Sequence, residues 1–590
     1  MLAEMDAERL KSELMDRYPK AVVHLRSQYN RKRFGLVLGS GVSQSFDIPS
    51  WQELLERISK HPEVQAPWRS DQGQRSPITA ADLLRCHFDA RTRPRLKGMD
   101  DRAVQCELTG RWLRIIRDSL YKRVRVKAKD LEDNHPYLGE FLEIILECRI
   151  TINYNFDDCI EMMLNHRRET SKDPERICES AYDDFLGTGA QRPLIYHPNG
   201  FLPRNALEGC SDDIVLSERE FNEQSGHAVG ARADFLAQHF AANTCLFLGL
   251  SVQDELLRSV LRRAAKLSPG QFHYCVEFLK LEQEPQQPEM IAISRSRRDN
   301  YNLITLFLTQ EKIAALGMLI KEKRLDFLKR AERKKHRTTF IYYLTGVPGV
   351  GKTSVLRHFH SLHTHGEWIE DPPSFLSKPY NEWTKEEEKK KTPRFFARQF
   401  ELKNKRLWES PEGLHLVEAT PLDWVPRKPS PEATEILAGA ISNESERGIR
   451  NGTIIHLIGD SKEIAARLLI YHRLTQSPGP GEGLQPALLD NIATAFAEIY
   501  PEHSPGIFVR RTDGCALNEV VRKVAEIVFS DDYVEFDIAT SASRIIGNPN
   551  DGSQARLLRS RRQTSGHAKR KRAEVAHSGY SHGRGPRAGI

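Results

Sequence analysis

The sequence predicts an α/β chain with two parallel sheets in succession, and three observations predict it. Apolar runs at 35–38, 245–248 and 340–344 have the length and continuity of strands buried on both faces. Each run enters a glycine-bearing turn: Gly39-Ser40-Gly41, Gly249-Leu250-Ser251 and the stretch from Gly346 to Gly351. Helical spacing follows each turn, as in strand–turn–helix units whose ligands sit at the strand ends.

The chain of 590 residues is long enough for two to four domains. Its 39% hydrophobic and 28% charged residues, with a mean hydropathy of −0.53, are ordinary for a globular protein. It holds no apolar run of the roughly 18 residues a membrane span needs. The start, Met1 to Glu8, lacks the basic and apolar regions of a signal peptide, so a cytoplasmic location is expected. From Ser553 on, ten basic residues face only Glu574, which exceeds the whole formal charge of +7. The remainder is slightly acidic, and net charge indicates no nucleic-acid face outside the tail. The nine cysteines form no C-x-x-C pair, which fits a reducing compartment and argues against a four-cysteine zinc ribbon.

In chain order, 7–30 has helical spacing with a break at Pro19, 60–110 is polar, and 111–129 is a basic helix candidate. After the strand at 35–38, Gly39, Ser40 and Gly41 turn without β-carbons at the glycines, so that amides can approach a pyrophosphate. Ser43 and Ile48-Pro49-Ser50-Trp51 come next, before a helix from Gln52. The run 144–153 reads as a β-rich stretch ending in Asn153-Tyr154-Asn155-Phe156-Asp157-Asp158-Cys159-Ile160-Glu161 and a helix over 157–167. The alternative is that these asparagines only cap the helix. Next come Tyr196-His197-Pro198-Asn199-Gly200, then Leu216-Ser217-Glu218 with Phe221. The strand at 245–248 leads into Gly249-Leu250-Ser251 and Asp254.

These five stretches, in this order, resemble the sirtuin superfamily, and Pro49-Ser50-Trp51 resembles its NAD-cleaving effectors of bacterial anti-phage defence. The resemblance implies a Rossmann-like domain over 1–325 that binds NAD+ through Gly39, Ser40, Gly41, Ser43, Asn153, Gly249, Ser251 and Asp254. It implies Asn155 as the catalytic amide, with Asn153 in reserve, Asp157 in support and His197 as proton acceptor. The family places its histidine just before the glycine, where this chain has Asn199. Either His197 acts from two residues upstream or this copy is slow or differently built. The missing zinc ribbon speaks against lysine deacylation. The resemblance also implies a homo-oligomer with a phage-derived or nucleotide trigger.

A charged helical linker is expected over 326–337, and a second domain over 338–545. Gly346-Val347-Pro348-Gly349-Val350-Gly351-Lys352-Thr353, between a strand and a helix, is a complete P-loop. Gly346, Gly349, Gly351, Lys352 and Ser354 are expected to hold the phosphates of ATP, and Thr353 a Mg²⁺ ion. The chain beyond this loop resembles nucleoside and thymidylate-type kinases: Glu370 as a base, Phe396 to Phe400 as a base-reading helix, 414–418 as a strand ending near Mg²⁺, and Arg467 to Arg473 as a lid. Residues 546–590 read as a disordered basic tail whose Lys569-Arg570-Lys571-Arg572 run is the sole nucleic-acid candidate. Three functions stay open: an NAD+ hydrolase coupled to the P-loop domain, a nucleoside or nucleotide kinase with a binding module, and a non-enzymatic nucleotide sensor.

Overall fold

A computed structural model describes residues 2–66, 77–124, 131, 134–170, 178–181, 192–205, 210–211, 214–216, 229–252, 254–279, 287–366, 385–423, 449–475 and 485–546. The expected segments at 217–221 and 368–371, with Glu370, and the tail from 547 lie outside the described residues.

The first sheet contains β1 (Phe34–Leu38), β2 (Ile150–Asn153), β3 (Glu179–Ala181), β4 (Leu194–Tyr196), β5 (Thr244–Leu248), β6 (His273–Phe278) and β7 (Leu303–Leu308). Its order is β3-β4-β2-β1-β5-β6-β7, and every pairing is parallel. Each position of β1 and β5 is buried, as a parallel strand with both faces covered requires. Leu38 is in register with Asn153 on one side and with Leu248 on the other. The turns after β1, β2 and β5 therefore leave the sheet at one level, beside the reversal of strand order where open α/β sheets bind ligands.

The second sheet contains β8 (Thr339–Gly346), β9 (His363–His365), β10 (Gly413–Glu418), β11 (Thr453–Ile458) and β12 (Ile507–Arg511), in the order β12-β11-β8-β10-β9. It too is wholly parallel, with the fully buried β8 at its centre. The α/β class with parallel sheets is thus the observed one. Among the described residues no helix is long and apolar enough to cross a membrane.

Two details differ from the sequence reading. The run 144–147 is not strand but the end of the helix Pro136–Glu147, whose buried Leu138, Phe141, Leu142 and Ile145 have helical spacing. The helix Pro19–Asn30 lies in the expected first domain, yet it packs against β1 and β10 alike. Arg26 Nε donates to Glu412 Oε1 at 2.7 Å, and Lys20 Nζ donates to the carbonyls of Ser530 and Asp532 at 2.5 and 2.8 Å. Gln28 Nε2 donates to the Ser361 carbonyl at 2.5 Å. The charged connector contains the helix Arg324–Lys334, which is pinned to the body by buried Phe327 and Ala331 and by a 3.0 Å ion pair from Arg330 to Glu322.

Candidate active site

Four neighbouring strands deliver the expected residues to one edge. Ser43 follows β1, Asn153 to Asp158 end and follow β2, His197 follows β4, and Gly249 follows β5. Gly41 donates its N–H to the Gly249 carbonyl at 2.9 Å, and Gly39 donates to Leu248 at 2.9 Å. A β-carbon on Gly41 would lie 2.8 Å from the Gly249 Cα, and one on Gly249 (φ +68) 2.6 Å from the Val42 nitrogen. The two glycine turns thus exist to pack on each other, which spends the Gly39 and Gly41 amides inside the protein. Ser40 and Ser251 are exposed beside this contact. Asp254 caps the helix Glu255–Leu267, accepting from the Leu257 N–H at 2.7 Å.

Asn155 stands at the centre. Its Nδ2 donates to Ser43 Oγ at 2.8 Å, its N–H to Asn153 Oδ1 at 3.2 Å, and its carbonyl accepts from His197 Nδ1 at 2.7 Å. Its Oδ1 makes no hydrogen bond among the described residues. Asp157 lies nearby, and its Oδ1 accepts from the Cys159 N–H at 3.2 Å. Burial raises the Asp157 carboxyl above its usual range, against that bond. Asn153 is fully buried and its Nδ2 lacks a partner among the described residues, whereas Asn155 keeps 8% of its surface exposed. Asn155 is therefore the less buried of the two amides.

His197 is placed differently from the proton-accepting role expected of it. It is 0% exposed, and Nε2 faces Glu161 Oε1 at 2.7 Å while Nδ1 is spent on Asn155. Burial alone would lower its pKa, but the Glu161 carboxylate and the Asn155 carbonyl pull it above the usual histidine value. A ring with both nitrogens on protein acceptors and no surface positions Asn155; it has no lone pair to offer a substrate in this arrangement. Glu161, held also by Ser180 Oγ at 3.1 Å, is a site residue that sequence reasoning missed. Its signal was its place at the end of the same Asn155-to-Glu161 motif. Asn199, 8% exposed, donates from Nδ2 to the Tyr154 carbonyl at 3.1 Å.

Residues 149–306 match the SIR2-like domain. The match runs from β2 into β7, so it takes in Asn155, Asp157, His197 and the turn at Gly249, while Gly39 to Ser43 precede it. It is consistent with an NAD-dependent enzyme. No curated protein matches the chain.

The second sheet carries its own constellation. Gly346, Gly349 and Gly351 have φ of +141, +81 and +107, which side-chain-bearing residues rarely adopt, so the loop after β8 needs glycine at all three. Lys352 Nζ donates to the Gly346 and Val347 carbonyls at 2.9 and 3.3 Å, and Thr353 Oγ1 donates to Glu418 Oε1 at 2.6 Å. Ser354 is exposed and its carbonyl accepts from His358 Nδ1 at 2.8 Å. A cavity beside the loop is lined by Lys352, Phe396, Gln399, Phe400, Asp423 and Phe496, among others. Among the described residues no cluster of three or more His, Cys, Asp or Glu could hold a metal ion by itself.

Proposed function

We propose that this protein cleaves the bond between nicotinamide and ribose in NAD+, with Asn155 as its central polar group. The observation that carries this reading is the fixed orientation of the Asn155 amide within the SIR2-like stretch. Ser43 takes its Nδ2, which turns Oδ1 away as an acceptor for a water or a ribose hydroxyl. Nicotinamide leaves NAD+ as a neutral molecule, so the chemistry needs no general acid. It needs an acceptor-lined site where positive charge gathers on the sugar, as in glycoside hydrolysis. Asn155 Oδ1 supplies the acceptor, Ser43 holds its amide, and the His197–Glu161 pair holds its backbone from behind. A rigid dipole aimed at developing charge lowers the barrier with no reorganisation at the moment of reaction.

The loop at 346–353 supports a coupled nucleotide site. Its three left-handed glycines, Lys352 and the Thr353–Glu418 pair suit the phosphates of ATP and a Mg²⁺ ion, a cation that takes few oxygen ligands from protein and the rest from phosphate and water. When bound, Mg²⁺ would neutralise charge on the phosphates; Thr353 and Glu418 are the residues that would hold it. The resemblance to anti-phage effectors gives NAD+ loss a setting, in which depletion halts the infected cell.

The test is to incubate the purified chain with NAD+, with and without ATP, and to resolve the products. Nicotinamide and ADP-ribose in equal amounts support the reading. Intact NAD+ under both conditions refutes it.

A further inference from the structure

Two asparagine amides beyond the neighbouring strands β2 and β4 share one wiring, and the cleavage reaction so far uses only the first. Ile152 is in register with Tyr196, and Asn155 and Asn199 each lie three residues further along their chains. Asn199 Nδ2 reaches the Tyr154 carbonyl at 3.1 Å, one peptide bond from Asn155, so the two residues stay together past the end of the pairing. Each amide spends its Nδ2 on the protein, Asn155 on Ser43 Oγ and Asn199 on that carbonyl. Neither Oδ1 has a hydrogen bond among the described residues, and each residue is 8% exposed. An amide oxygen in that state has both lone pairs to offer a water or a ligand.

The turn that carries Asn199 is fixed on every side. The Asn199 carbonyl accepts from the Val215 N–H at 3.0 Å, and the Gly200 N–H donates to the His197 carbonyl at 3.1 Å, with Gly200 at φ +96. The Pro198 carbonyl accepts from Arg232 Nη1 at 3.3 Å. The neighbouring groups that could take a proton are committed or enclosed. His197 has both nitrogens on protein acceptors. Asp158 Oδ2 accepts from the Arg204 N–H at 2.7 Å, and the other oxygen is closed from solvent. Asp157 is buried with its Oδ1 on the Cys159 N–H, and Glu161 Oε2 is closed from solvent. Water at this edge therefore meets amide oxygens that orient it rather than any of these proton acceptors.

We propose that Asn199 is a second catalytic residue, whose Oδ1 holds the water that attacks the ribose, while Asn155 Oδ1 faces the sugar as positive charge gathers on it. One O–H of that water donates to Asn199, which leaves an oxygen lone pair for carbon. The bond from ribose C1′ to the nicotinamide nitrogen breaks, and its electron pair leaves with nicotinamide. The water oxygen forms a bond to C1′, and its surplus proton passes to bulk water. Different amides thus assist bond breaking and water delivery, and the two events are separable. The proposal rests on the reading of this site as one that cleaves NAD+.

The experiment reads two rates on the full chain with NAD+: formation of ADP-ribose, and exchange of labelled nicotinamide into NAD+, which breaks and re-forms the bond without water. The wild type should show both. Asn199→Ala should form ADP-ribose more slowly by about tenfold or more, with exchange kept within about twofold. Retained exchange also shows that this variant is folded. Asn155→Ala should lose both rates together. ADP-ribose formation by Asn199→Ala at the wild-type rate overturns the proposal, and so does an equal fall in both rates, which would make Asn199 a structural residue. A wild type that hydrolyses NAD+ with no exchange overturns the division between the two amides and leaves the cleavage reading intact. NAD+ left whole by the wild type overturns the cleavage reading and the proposal with it.

Discussion

Arg26 and Glu412 form an ion pair across the two sheets: Nε to Oε1 is 2.7 Å, and the side chains are 0% and 6% exposed. The guanidinium also stacks over Phe327 with its carbon 3.8 Å from the ring centroid, and donates to the carbonyls of Leu319 and Glu322. Removing one partner leaves the other charge buried and unpaired, which costs about 3–5 kcal/mol. Glu412→Ala should lower unfolding free energy by that amount in urea titrations. A change below about 1 kcal/mol would show that water reaches the pair.

The contact between the glycine turns gives a sharper prediction. Gly249→Ala places a β-carbon 2.6 Å from a backbone nitrogen, at φ +68. Backbone cannot yield as a flexible side chain does, so the turn after β5 must shift and displace Val42 and Ser43 with it. NAD+ cleavage should fall at least tenfold, read as nicotinamide release, with a lower unfolding midpoint. Wild-type values for both would mean that the turns are not packed as described.

Acid should destabilise the fold through its buried histidines. Burial lowers His24 and His273 to about 3, and His239, His363, His365 and His456 to about 4. Unfolded, each titrates near 6.5. Below that value the unfolded chain binds protons that the folded chain refuses, so stability present above pH 6.5 is lost as pH falls toward 4. Thermal unfolding from pH 7.5 to 4.5 should show a midpoint that is flat above 6.5 and declines below it. A flat profile throughout would contradict the burial of these rings.

Coupling between the halves is expected through the helix Pro19–Asn30, which touches both sheets. A ligand that shifts the second sheet has a rigid element through which to bias the first. Lys352→Ala, which removes the loop's cation, should weaken ATP binding and change the NAD+ cleavage rate. Loss of ATP binding with an unchanged cleavage rate would show that the halves are merely joined.

Strands were legible where apolar runs ended in glycine, as at 35–38, 245–248 and 340–344. The run 144–147 misled because Ile144-Ile145-Leu146 looks continuous. The helical period is visible only when Leu138, Phe141 and Leu142 are read with it. The placing of Asn155 just beyond a sheet strand was legible through the motif around it. The burial of His197 was not, since its partner Glu161 lies 36 positions away in sequence and only β2 and β4, side by side, bring them together. The burial of Lys20 and Arg26 has the same cause: the carbonyls and carboxylate that satisfy them come from distant parts of the chain.

The proposed NAD+ cleavage turns on Asn155, so the most direct test compares nicotinamide release by the wild type, Asn155→Ala and Asn153→Ala. The wild type should release nicotinamide. Asn155→Ala should lose at least about a hundredfold, because it removes the amide oxygen that the proposed reaction uses as acceptor. Asn153→Ala should lower the unfolding midpoint, since Asn153 is wholly buried and holds the Asn155 N–H. Full turnover by Asn155→Ala would contradict the central role assigned to this amide.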